Sequence, residues 1–372
     1  MHYLFFTNTP AHVHLYRNAV AELLDRGDEV TILAREDECS TALLDWYDLP
    51  YRLYGRLGSG KRSLVRRLPV WAARIVREAR RVDPDLVFGI GPYAALAGAV
   101  TRTPTVLVTD SEPTLDGTLS RPFVTAILTP EAYRRHLGPK HFVFRGFKES
   151  AYLHPAVFRP QVDVHEALGL DADEPFAIVR FNSFAGHHDF GKRGFTRAQR
   201  RTLLETLAES VTTFVSDEAG RMDLDDLPAR RYDLHPALIH DALAGAELLV
   251  ADTQTMVTEA ALLGTPAVRS NSFVGADDMG NFLSLEAAGL VENVRAFDEV
   301  LDAVTTLLAD DDRAETWARR RDAFVADTVD LTQLLLQVAA DHEHLDRLPS
   351  LSRPTDPERR VPSNTGQFRP EP

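Results

Sequence analysis

The chain has 372 residues, 41 Lys+Arg against 55 Asp+Glu, a formal net charge of −14 and a single cysteine. That length suffices for two domains with full hydrophobic cores. One cysteine excludes an internal disulfide framework and a Cys-rich metal site, and the acidic balance argues against general nucleic-acid binding, which needs a basic footprint.

The basic residues are almost all arginine, with lysine only at Lys61, Lys140, Lys148 and Lys192. An acidic, lysine-poor composition is similar to that of proteins from a salt-rich cytoplasm, where dense carboxylates keep a protein hydrated, so a halophilic source is expected. Charge is uneven: residues 1–160 hold 21 Lys+Arg and 17 Asp+Glu, whereas the remainder holds 20 and 38. No run of 18 apolar residues exists, and the chain enters a strand pattern at once, so a cytoplasmic location is expected.

In chain order, Tyr3 to Thr7 reads as a strand, Leu15 to Asp25 as an amphipathic helix ending at Gly27, and Glu29 to Ala34 as a strand. Glu36 to Ser40 is a polar stretch that leaves Cys39 an incidental thiol. Pro50 to Tyr54 is a short strand, Ser63 to Val82 a helix and Asp85 to Ile90 a strand, and Gly91-Pro92 opens a helix over Tyr93 to Val100. Strands over Thr105 to Thr109 and Thr125 to Thr129, a short helix from Glu131 to Leu137, and Phe142 to Arg145 close this half. A Pro-punctuated linker is placed at about 150–165. The second half reads as a strand over Phe176 to Phe181, a helix over Arg197 to Ser210, a strand over Thr212 to Val215 and a helix over Pro236 to Ala244. Helices near 298–308, 312–327 and 331–345 end it. Strands alternating with helices predict an α/β chain with two Rossmann-like parallel-sheet domains, 1–155 and 165–345, facing a central cleft; the proline-rich 346–372 is expected to be a disordered tail.

Leu248 to Val268 is the most informative stretch. Leu248 to Ala251 is an apolar run of strand length, Asp252, Thr253 and Thr255 offer capping side chains, and Gly264 before Pro266 ends a helix ahead of a second buried strand. A helix N-terminus opening at the carboxyl edge of a strand is where open α/β sheets bind phosphate. Glu259, one to two turns on, is within reach of a hydroxylated ligand. The plain alternative is an ordinary βαβ unit with a well-capped helix.

Asp252-Thr253-Gln254-Thr255-Met256, followed by Glu259-Ala260, Gly264 and Pro266, resembles the nucleotide-sugar motif of the GT-B superfamily. That group includes glycosyltransferases and the UDP-N-acetylglucosamine 2-epimerases. His12-Val13-His14-Leu15-Tyr16-Arg17 adds a likeness to an uncharacterised, largely archaeal family of predicted glycosyltransferases, over roughly 1–345. The resemblance implies a GT-B fold, with Thr253, Gln254, Thr255 and Met256 at the diphosphate and Glu259 at the ribose. It implies a base contact near His235-Pro236, and in the stretch from Arg180 to Asp189 a diphosphate or sugar contact from Arg180 and His187. The nucleotide-sugar is a substrate, and no cofactor is implied.

Among candidate catalytic groups, His12 and His14 are expected in the turn after the first strand, as base, anion contact or cap, with His12 preferred because His14 begins the helix. Asp110 and Glu112 follow the strand from Thr105 and form a possible acid/base pair; the plain alternative is a turn cap and a solvated carboxylate. His187, His188 and Asp189 are adjacent in one loop, a poor arrangement for one metal ion, so no metal is expected. Gly89-Ile90-Gly91-Pro92 lacks the third glycine of a dinucleotide fingerprint, which argues against a nicotinamide oxidoreductase.

Two enzymatic readings follow. The first is a metal-independent transferase acting from a UDP-sugar, with His12 or Asp110 as base and a lipid-linked or cell-surface glycan acceptor. The second is a 2-epimerase, weakened because the later Pro-Glu-Glu segment of those enzymes is not found. A non-enzymatic scaffold predicts a cleft without convergent polar groups. The segment 61–81 carries eight basic residues and one acid, with Leu64, Leu68, Trp71, Ile75 and Val76 at helical spacing. It is a candidate for peripheral contact with the inner face of an anionic membrane, against the plainer reading that the apolar stripe packs on the sheet.

Overall fold

Short, wholly apolar runs separated by helices with capped ends dictate the architecture, because a strand buried on both faces carries no polar alternation. The computed structural model describes residues 1–56, 61–112, 116–182, 194–217 and 222–354, with no account of the side chains of 61–66 and 116. Among the described residues two all-parallel sheets form. The first runs β3-β2-β1-β4-β5-β6-β7 and comprises β1 (His2–Thr7), β2 (Glu29–Glu36), β3 (Tyr51–Arg56), β4 (Leu86–Gly89), β5 (Thr105–Val108), β6 (Ala126–Pro130) and β7 (His141–Phe144). The second runs β10-β9-β8-β11-β12-β13 and comprises β8 (Phe176–Phe181), β9 (Thr212–Asp217), β10 (Arg230–Arg231), β11 (Leu248–Ala251), β12 (Ala267–Arg269) and β13 (Val291–Asn293). In each, strand order reverses beside the first strand, so a crevice opens at the carboxyl edge between β1 and β4 and between β8 and β11.

The helix predicted from Leu15 begins at Pro10, whose fixed φ suits a first helical position, so His12 and His14 sit inside a helix and not in a turn. A helix at Glu38–Trp46 lies where only a polar stretch was expected; Asp37 caps it by accepting from Ser40 N. Glu131 to Leu137, expected as a helix, is irregular: Glu131 N bonds Phe144 O and Leu137 N bonds His141 Nδ1. A helix at Gly280–Ala287 was not anticipated. Gly264, at φ 82, closes the helix Thr255–Leu263 in the left-handed conformation, as its position before Pro266 suggests.

The expected tail is ordered for its first part. Leu345–Arg347 is a helical turn, Ser352 bridges to Val143, and Arg353 lies over the Phe142 ring while pairing with Asp346. Residues 355–372 lie outside the described residues.

The two halves meet along several seams. The helix Leu331–Ala340 packs on Pro10–Asp25 and on Ser150–Leu153, where Thr332 Oγ1 donates to Ala151 O. Arg134 donates to the carbonyls of Ala276 and Asp278. Arg269, fully buried, pairs with Asp278 at 2.5 Å and stacks over Phe282, so the strut on which Arg134 rests is itself held by a buried ion pair.

Candidate active site

The carboxyl edge of the first sheet gathers charge. Asp110, two residues past β5, pairs with Lys148 Nζ at 2.7 Å, and Glu149 lies 3.5 Å from the same ammonium. Lys148 and Glu149 follow β7, so the same edge rule that pointed to Asp110 places them beside it. Burial pushes the Glu149 carboxyl up to about 7, Lys148 opposes that, and the charges of Asp110 and Glu259 add to it. Its Oε2 is buried with no hydrogen-bond partner among the described residues. Lys148 stays charged, its pKa raised because its two carboxylates outweigh the cost of burial.

His12 lies beside this cluster. Burial holds its imidazole down at about 3, and the positive charges of Lys148 and Arg35 push the same way. Its Nδ1 accepts from Asn8 N at 3.1 Å, so the neutral ring carries its proton on Nε2. In this arrangement His12 presents a donor, which suits the anion contact among its expected roles. Arg35 Nη2 and Tyr54 OH hold Asn8 through its carbonyl and side-chain oxygens, and Arg35 Nε is buried and unpartnered among the described residues. His14 is buried, its Nδ1 3.3 Å from Arg17 Nη1 and its ring against His240, so it does not face the site.

Glu112 parts company with Asp110. Its Oε1 accepts from Arg134 N at 2.8 Å and from Gly280 N at 3.2 Å, joining the halves at the start of Gly280–Ala287. Burial raises its carboxyl despite these bonds. A carboxylate committed to two backbone donors is a strut, so the expected Asp110–Glu112 pair gives way to Asp110, Lys148 and Glu149.

In the second half, Asp252 does not cap the helix. Fully buried, it accepts from Asn182 N at 2.6 Å and Phe195 N at 3.2 Å, and burial pushes it up to about 6 against those bonds. Gln254 stands at the N-cap with no side-chain bond, and Thr253 Oγ1 is buried without a partner among the described residues. Gln254, Thr255 and Met256 are partly exposed, and the first-turn N–H groups lack intrahelical acceptors, as at any helix start. Arg180, at the edge of β8, donates to Ser216 Oγ at 2.8 Å. His187 lies outside the described residues.

Glu259 is buried at the seam. Its Oε1 accepts from Tyr152 OH at 2.8 Å and His240 Nε2 at 3.1 Å. Burial alone would raise its carboxyl; His240, Tyr152 and Lys148 outweigh that and hold it below the ordinary range. His235 Nδ1 accepts from Ala237 N, and its ring stacks on Trp46. Lys148, Glu149, Tyr152 and His240 went unnoticed in the sequence. Scarcity of lysine was the one local signal for Lys148; the others lack a motif. Cys39 is partly buried, and burial pushes its thiol up to about 11, away from the thiolate form.

Two Rossmann-like sheets with facing carboxyl edges, the last helix returning to the first half, define the GT-B fold. No protein-family model and no curated protein sequence matches the chain. Solved structures do. The UDP-GlcNAc 2-epimerase of Neisseria meningitidis, bound to UDP-GlcNAc, is similar at TM-score 0.64 and 12% identity, covering 92% of this chain and 100% of its own. MurG of Acinetobacter baumannii is similar at 0.56 and 16%, covering 91% and 99%. HepE of Anabaena, in complex with UDP and glucose, is similar at 0.56 and 18%, covering 93% and 100%. At these identities the likeness is one of fold.

Proposed function

We propose that the chain is a nucleotide-sugar enzyme, and that it transfers the sugar of a UDP-linked donor to an acceptor hydroxyl without a metal ion. The observation that carries this reading is the opposition of two edges. One bears a helix start with the unpartnered Thr253 hydroxyl; the other bears Asp110, Lys148 and the Nε2–H of His12. The helix dipole, the first-turn N–H groups and Arg180 stabilise charge on the departing diphosphate. Asp110 takes the acceptor proton, and Lys148, 2.7 Å away, orients its carboxylate. His12 donates to a sugar or phosphate oxygen. Thr253, Gln254, Thr255 and Met256 hold the diphosphate and Glu259 the ribose, after exchanging Tyr152 for a ribose hydroxyl.

A 2-epimerase is the second reading, and Glu149 favours it. A carboxyl near pH 7 beside an ion-paired carboxylate suits removal and return of a proton in one site. Incubation with UDP-N-acetylglucosamine alone, followed by NMR, separates the two: sugar inversion without acceptor refutes the transferase, whereas UDP release dependent on an acceptor refutes the epimerase. Release of neither product with any UDP-sugar refutes both.

The acceptor in the transferase reading is lipid-linked or a glycan, met at an anionic membrane surface by the first half. Trp71, Ile75 and Ala79 of the helix Lys61–Val82 are buried on the sheet, as the plainer reading of that segment expects. The opposite side leaves Leu68, Val70, Arg67, Arg74, Arg77 and Arg81 exposed, and this side supports peripheral contact. Among the described residues no helix is long and apolar enough to cross a membrane.

A further inference from the structure

The helix Glu38–Trp46 lies against the second half. At its start, the charge of Arg180 acts on Cys39; at its end, the Trp46 ring stacks on His235 with centroids 4.4 Å apart and planes 22° apart. Nine residues at the helical rise span about 12 Å, comparable with an extended nucleoside diphosphate. The two ends also match the ends of the nucleotide site: Arg180 lies at the edge of β8 beside β11, and His235 begins the segment whose His240 bonds Glu259.

Trp46 is 47% exposed, whereas the other two tryptophans, Trp71 and Trp317, are 2% and 3% exposed. An indole stacked on a ring of the other half and still about half exposed is unusual for so large an apolar side chain. His235 cannot slip from behind it easily, because its Nδ1 is tied to Ala237 N.

We propose that Trp46 is the stacking platform for the nucleobase, supplied by the first half, with His235 as the positioning residue behind it. This rests on the nucleotide-sugar reading above and adds the residue that reads the base. The nucleotide then bridges the halves: its base lies on the first, and its ribose and diphosphate on the second. Base binding thereby draws the cleft closed around the reacting sugar.

Because Trp46 is the one exposed tryptophan, its fluorescence reports on the contact. UDP added to the full chain should quench the long-wavelength emission and shield it from acrylamide, whereas pyrophosphate, which lacks a base, should do neither. By calorimetry, Trp46→Ala should bind UDP about ten- to a hundredfold more weakly, the range for losing one base–aromatic stack, with pyrophosphate affinity unchanged. Trp46→Phe should recover most of the loss, which a merely structural role for the indole would not require. UDP binding that leaves the emission untouched and is equal in wild type and Trp46→Ala overturns the proposal alone. Failure of UDP to bind the wild-type chain overturns the nucleotide reading and takes this proposal with it.

Discussion

Replacing Glu149 by Gln should stabilise the protein at alkaline pH and leave it little changed at acid pH. Glu149 is almost fully buried, one carboxylate oxygen has no partner among the described residues, and its neighbours include the negative charges of Asp110 and Glu259. A carboxyl that keeps its proton to about 7 in the fold, against an ordinary value of 4.5, favours folding less as pH rises between those limits. The sign is that of a raised acid: the folded state binds the extra proton, so stability falls from about pH 4.5 to 7 and then levels. At 1.36 kcal/mol per pH unit the penalty at pH 8 is at most about 3 kcal/mol. Gln keeps the shape and removes the ionisation, so urea midpoints of wild type and Glu149→Gln should coincide near pH 5 and diverge by pH 8, the variant being the more stable. A variant less stable than wild type at pH 8 by 1 kcal/mol or more would show that Glu149 is an ionised partner of Lys148, and the support that Glu149 lends to the epimerase reading would fall with it.

Other expectations follow the same geometry. Asp278→Ala leaves Arg269 charged in the core with Asn293 and the Phe282 ring but no carboxylate, which should cost about 3–5 kcal/mol in urea unfolding; a loss under 1 kcal/mol would mean that the pair is solvated. Glu259→Gln should weaken UDP binding by about 1–3 kcal/mol in calorimetry, the usual loss for a charged hydrogen bond; unchanged affinity with a lowered urea midpoint would make Glu259 a strut between halves. Leu249→Ala, at the centre of β11, should destabilise by about 2–5 kcal/mol, and a smaller effect would place that strand outside the core. Changing Arg66, Arg67, Arg74 and Arg77 to Glu should abolish co-sedimentation with anionic vesicles at low salt, where screening is least; equal, negligible binding by wild type and variant would remove the membrane from the account.

Local patterning alone determined the two parallel sheets and the strand–turn–helix–strand of Leu248 to Val268. An apolar run, a Gly-Pro stop and a helix period act over a few residues, so they are written in adjacent letters. Even there, the start at Pro10 and the helix Glu38–Trp46 were obscured, because a proline and a short acidic stretch read more readily as a loop than as the first turns of helices whose inner faces find partners in the fold. The state of the site was decided elsewhere. Tyr152 meets Glu259 across 107 positions, and Glu112 meets Gly280 across 168. Asp110 and Glu112 look equivalent in sequence, yet one faces Lys148 and the other closes a seam between halves. His12 is a plausible base by position and becomes a donor because Asn8 N occupies its Nδ1. Protonation and partnership depend on burial and on charges a few ångströms away, and the residues that supply them come together only once both halves have folded and docked.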